Sequence, residues 1–274
     1  MNNPLQQYFR QPKIFIKLPS GGVYNKPGTL QGDATNMPVY GMTGMDEIII
    51  KTPDSLLTGA STASMITSCC PAIKDAWELS SIDLSMVLAA IRIATYGETM
   101  NVGHICTNCG ADNEFEINLN KIIEHYMVCK YDNSIKIGDL IVRIQPLTYR
   151  QSTEFSLKNF RLQQQISQVD SIEDKDEQQD FLNKMFRELA VIQNDIYKAS
   201  VESVETPTGV VTDKTFIAEW IEKCEKEVFD AIKVKNQENA SVWEMPRHPV
   251  KCDSCGTEVN LIVDLDQSSF FARA

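Results

Sequence analysis

CTNCGADNEFEINL, residues 106–119, returns near the end of the chain as CDSCGTEVNLIVDL, residues 252–265. Each copy spaces two cysteines by two residues, follows the second with glycine, and enters a strand ending in Asn-Leu or Asp-Leu. A tight turn of this form lets two thiolates aim at one ion while backbone N–H groups face the sulfurs. Gly110 and Gly256 suit the positive φ that such a turn demands. One CxxC is weak evidence. The matched pair points to a structural Zn2+ held by Cys106, Cys109, Cys252 and Cys255. Four thiolates fill the tetrahedron, whereas a catalytic zinc keeps one position for water. A redox or disulfide role is the competing reading, and a thioredoxin-like pair would want a βαβ setting that neither CxxC has. The expected fold is α+β and helix-rich, with a split four-cysteine zinc-ribbon-like module made of two zinc knuckles and an inserted helical region. The expected organisation is an extended N-terminal arm over 1–40, a zinc-stapled core over 41–145 plus 246–274, and a helical insertion over 146–245.

Composition narrows the function classes. The chain sets 26 Lys+Arg against 37 Asp+Glu, a formal net charge of −11, which repels phosphate backbones. The knuckle loops add Asp112, Glu114, Glu116, Asp253 and Glu258 where a nucleic-acid reader would carry basic and aromatic residues. No nucleic-acid partner is therefore expected. The longest apolar stretch, Met86 to Ala94, is broken by Arg92 and is too short to cross a bilayer. The opening MNNPLQQYFRQPKIF lacks a basic-then-apolar leader, so neither membrane insertion nor secretion is expected. Asp170 to Asp180 reads as a solvated loop and helix start.

The remaining cysteines, Cys69, Cys70, Cys129 and Cys224, read as small buried hydrophobes. His104, His125 and His248 read as surface or satisfied residues rather than ligands. No G-x-S-x-G, H-E-x-x-H or Walker loop occurs, so the chain is not expected to be an enzyme or to take a small-molecule substrate.

Along the chain, residues 1–40 are rich in Pro and Gly, with a short strand around Ile14 and Ile16. Such an arm either packs across its own domain or reaches a neighbour. Thr43-Gly-Met-Asp46 predicts a capped helix start, and a second helix covers Thr62 to Cys70 and stops at Pro71. The clearest helix spans Ile82 to Tyr96, capped by Ser81 and closed by Gly97; its few polar positions predict a central, buried element. A strand over Glu114–Leu119 and a helix to Val128 follow, then paired strands over Ser134–Ile137 and Leu140–Gln145, joined at Gly138-Asp139. Thr148 to Glu202 reads as helical with a break near Val169–Lys175, its stripe being Phe181, Met185, Phe186, Leu189, Ile192 and Ile196. Thr212 or Asp213 caps one further helix with a stripe from Phe216 through Cys224 to Ile232. Pro246 and Pro249 then lead into the second knuckle.

The stretch IDLSMVLAAIRIATYGETMNVGHICTNCGADNEFEINL, residues 82–119, resembles the T4-type bacteriophage baseplate hub family. The likeness rests on Asp83, Ile91, Arg92, Tyr96 and Gly97, then Cys106, Cys109 and Gly110, with Thr95 as an extra residue before the tyrosine. PVYGMTGMDEIIIKTPDSLLTG (38–59) is similar to the family's Met-Thr segment and Thr-Pro-Asp turn, and LPSGGVY (18–24) to its Leu-Pro-Ser opening. The resemblance implies a non-enzymatic component of a contractile-tail baseplate, at or near the hub, made in the host cytoplasm and carried in the virion tail. Its implied partners are other baseplate and hub proteins, with a second copy of the chain as a further candidate. A hub assembly chaperone absent from the finished virion is the alternative, and a zinc-ribbon nucleic-acid regulator a weaker one.

Overall fold

The computed structural model describes residues 3–52, 58–169, 174–263, 265 and 270–271. The chain is mixed helix and sheet, helix-rich with small sheets. It divides into two compact units: Met1–Cys129 with Trp243–Ala274, and Lys130–Val242.

The first unit is organised by its most apolar helix. Strands β1 (Pro12–Ile16) and β2 (Met37–Tyr40) pair antiparallel, and helices α1 (Gly44–Ile50) and α2 (Ala60–Cys69) lead to α3 (Ser81–Tyr96). Every residue from Met86 to Ala94 is buried, as an all-round apolar helix requires. Leu18, Met37 and Val39 are also buried in this unit, so much of the arm contributes to its core. Gly41 explains how closely β2 approaches α3. A Cβ there would meet the Ala94 carbonyl oxygen at 2.9 Å, and the next N–H, of Met42, donates to Thr95 Oγ1 at 3.0 Å. The extra Thr95 thus receives a use.

Asp83 ties the first loop to the start of α3. Fully buried, it accepts from Ser20 N (2.9 Å), Ser20 Oγ (2.5 Å) and Asn25 Nδ2 (2.9 Å). Burial pushes its carboxyl above the usual range, and these three donors oppose that shift. Ser80, not Ser81, stands at the N-cap and makes no side-chain cap bond; Asn25 Oδ1 takes its N–H at 2.8 Å instead. The α1 start follows expectation, with Thr43 and Asp46 closing a capping box. The Pro53-Asp54 part of the turn after α1 lies outside the described residues.

After α3 come strands β3 (Thr99–Ile105) and β4 (Asp112–Asn118), an antiparallel ribbon, and helix α4 (Asn120–Val128). The chain returns to this unit after residue 242 and forms a second ribbon from β9 (Arg247–Lys251) and β10 (Glu258–Ile262). Pro249 sits inside β9, in a two-stranded ribbon where a lost N–H is tolerated.

The second unit begins with β5 (Ser134–Ile137) and β6 (Leu140–Ile144), expected with the zinc-stapled core. They fall here because β6 pairs with β7 (Val201–Thr206), which continues to β8 (Gly209–Val211) in a four-stranded antiparallel sheet of order β5-β6-β7-β8. Between β6 and β7 lie α5 (Tyr149–Ile166) and α6 (Lys175–Ser200). Thr148 and Gln151 form a capping box for α5, and Asp174 caps α6 through the N–H groups of Asp176 and Glu177. The two helices meet through Leu162, Met185 and Ile192. Residues 170–173 of the acidic stretch lie outside the described residues.

Three expectations in this unit need correction. The long helix stops at Ser200, because Val201 begins a strand paired with β6, from which Val201 and Val204 turn inward to the core. Phe186, placed on the stripe, is 60% exposed. The final helix is two, α7 (Lys214–Lys223) and α8 (Lys226–Val242), because Cys224 takes an extended conformation between them. Asp213 caps α7; Ile217, Ile221 and Ile232 reach the core, and Phe216 points to solvent.

Candidate metal centre

Each knuckle is a backbone device first. In one, Gly110 N donates to Cys106 O (2.8 Å) and Cys106 N to Ala111 O (2.8 Å). The other repeats it, with Gly256 N to Cys252 O (2.8 Å) and Cys252 N to Thr257 O (3.0 Å). Gly110 and Gly256 adopt φ of 73° and 72°, a left-handed conformation that a Cβ would strain. The repeat in sequence is therefore a repeat in geometry.

The two turns bring four thiols together. The Sγ atoms of Cys106, Cys109, Cys252 and Cys255 all lie within 4.8 Å of one another. The cross-knuckle pairs Cys106–Cys255 and Cys109–Cys252 are each separated by 3.7 Å. Tetrahedral thiolates on one ion at about 2.3 Å stand at this kind of spacing, while a disulfide requires about 2 Å. The donor set is soft and complete, suited to Zn2+. Cys106 and Cys252 are buried, and Cys109 and Cys255 face solvent.

Two asparagines that the motif reading passed over join the knuckles. Asn113, 5% exposed, accepts from Asp253 N at 3.0 Å and donates to Ala111 O at 2.9 Å. Asn108 Nδ2 reaches across to Thr257 Oγ1 at 3.1 Å and Cys255 Sγ at 3.7 Å. Asn113 sits in a strand, and its only sequence signal was a polar residue at an inward position of the alternation in β4.

The electrostatics favour thiolates in the second knuckle. The Thr257 hydroxyl and N–H, with the Asn108 amide, pull Cys255 down to about 5. Backbone N–H groups of Cys255 and Ser254 also lower Cys252. Cys109 goes the other way: the Ala111 N–H pulls it down, but the neighbouring thiols outweigh that and hold it up at about 12. Sulfurs that accept hydrogen bonds and share a proton are ready to exchange it for a cation.

No other group of three or more possible ligands gathers among the described residues, and no histidine belongs to this one. His125 Nε2 lies 3.0 Å from Glu244 O, a satisfied side chain as expected. His248 departs from expectation: it is buried, its Nε2 has no partner among the described residues, and burial lowers its pKa. Of the other cysteines, Cys69 and Cys70 are buried thiols whose pKa burial raises, Cys69 to about 12. Cys129 and Cys224 are only half-buried, because each stands just past a helix end rather than on its inner face. Among the described residues no helix is long and apolar enough to cross a membrane.

A family model described as T4 bacteriophage base plate protein matches residues 46–272. The match spans both knuckles and the whole of the second unit, which the motif resemblance did not cover, while LPSGGVY at 18–24 lies outside it. No curated protein and no solved structure matches the chain.

Proposed function

The chain belongs to the T4 bacteriophage base plate protein family, and from that premise we propose that it is a hub or hub-proximal structural part of a contractile-tail baseplate, closed by a structural zinc. The family match carries the reading, and the four-thiol cluster inside the matched range gives it a physical form. Cys106, Cys109, Cys252 and Cys255 hold Zn2+. Bound there, the ion cross-links β3–β4 to β9–β10, segments that the whole second unit separates in sequence.

That link suits a part that must hold its shape until a tail is triggered. Structural zinc contributes on the order of 10 kcal/mol to folding, comparable with the whole stability of a domain. The protein has no catalytic work in this reading. Contacts with neighbouring baseplate subunits run through the start of the arm, where Leu5, Tyr8, Phe9 and Phe15 are exposed apolar side chains on or beside β1. Exposed aromatics are the residue type that most often anchors an interface.

Quantitative mass spectrometry of gradient-purified particles tests the structural role. A fixed small-integer ratio of this chain to a known tail protein is the expected result. Its absence from finished particles would overturn that role and favour an assembly factor for the hub.

A further inference from the structure

One face of the α5–α6 hairpin carries a groove of about 410 Å³. Its floor is Leu162, Val191 and Ile192, of which Val191 is 58% exposed. Its rims have opposite signs. Lys158 and Arg161 line it from α5, and Glu188 and Asp195 from α6. Lys158, Arg161 and Leu162 follow i, i+3, i+4 spacing, and Glu188, Val191, Ile192 and Asp195 extend the same spacing to i+7, so each row is one helix face.

The rim charges do not satisfy one another. Among the described residues no ion pair crosses the groove: Lys158 Nζ lies over the Phe155 ring, 5.4 Å from its centroid, and Asp195 meets Lys198 of its own helix at 3.6 Å. An apolar floor between an unpaired basic rim and an acidic one is complementary to itself. That is the property an isologous two-fold interface requires, since the same patch must serve both sides.

We propose that this face pairs with the same face of a second copy, forming a four-helix bundle about a two-fold axis parallel to the helices. The charges select the axis. A two-fold parallel to the helices lays α5 on α6 of the second copy, so Lys158 and Arg161 face its Glu188 and Asp195. A two-fold running across the helices would stack α5 on α5 and set like charges together, which is repulsive. Val191, exposed in one copy, is covered in the pair. The floor is small and the rims are at the surface, so the association is modest and sensitive to salt.

Sedimentation velocity on the full, zinc-loaded chain tests this over a range of concentration and NaCl. The expected result is a monomer–dimer equilibrium that weakens as salt rises. Two charge-reversed proteins decide the interface: Lys158→Glu with Arg161→Glu, and Glu188→Lys with Asp195→Lys. Each alone should raise the dimer Kd by about tenfold or more. Their circular dichroism should match the unaltered protein, and mixing them should restore a dimer containing one copy of each. A chain that stays monomeric at every concentration and salt would overturn the proposal and leave the groove to another protein. So would a dimer that both reversals retain, or a failure of two folded variants to pair on mixing.

Discussion

Asn113 shows how much of the candidate centre depends on side chains outside the ligand motif. Its amide takes the Asp253 N–H from one knuckle and gives a hydrogen bond to Ala111 O in the other, so the ribbons are held together even before a metal arrives. In the proposed centre, Zn2+ on the four cysteines adds the dominant link. Replacing Cys252 with Ser removes one thiolate from a shared site, so Zn2+ is expected to be lost and amide exchange to rise in both ribbons. Elemental analysis and hydrogen exchange read these together. Full zinc content with unchanged protection at residues 99–118 would show that the knuckles do not share one ion. Acid should act in the same direction. Cys255 is depressed to about 5, so its thiolate form contributes stability above the ordinary thiol range, and that contribution is lost as pH falls through about 5. Protons compete with Zn2+ for the same thiolates, so acid should also release the ion, and a metal-sensitive dye in an acid titration would record it.

At the scale of elements, legibility followed how local the cause of each structure is. The α1 capping box, the apolar run of α3 and the glycine in each knuckle are decided within a few residues, and all were readable in sequence. β7 was not. The sequence reads as helix through to Glu202, and only pairing with β6, across the α5–α6 hairpin, makes a strand from Val201 onward. The same tertiary choice moves β5 and β6 into the second unit. The α6 stripe makes the distinction measurable, because Met185 and Phe186 are neighbours with opposite fates. Met185→Ala empties a site that is 2% exposed and should cost about 2–4 kcal/mol in chemical denaturation. Phe186→Ala should stay within about 0.5 kcal/mol, its ring being already in water. Equal losses would mean that the solvent face of α6 is covered in solution.

For the whole molecule, the arm poses the question that composition could not answer: whether it packs at home or abroad. The arm's residues divide into a packed set and an exposed set. Arg10 is bound at home, donating to Gly41 O at 2.9 Å and Ser68 O at 2.6 Å, and Leu18, Met37 and Val39 are buried in the first unit. Tyr8 and Phe9 precede the same arginine yet are 76% and 56% exposed, and Phe15 projects outward between the inward Ile14 and Ile16 of β1. Deleting residues 1–40 would therefore remove core together with any contact surface, and a failure to assemble would have two causes. Replacing Tyr8, Phe9 and Phe15 with Ser separates them. None of the three rings supports the first unit's core, so the melting temperature of the isolated protein should move little. If the rings seat against a neighbouring subunit, each loses an anchor of the kind that dominates interface energy, and incorporation into particles should fall steeply. Phage complementation followed by mass spectrometry of purified particles measures it. Full incorporation of the triple variant at an unchanged melting temperature would move the subunit contacts away from the arm, with the α5–α6 groove as the next surface to alter.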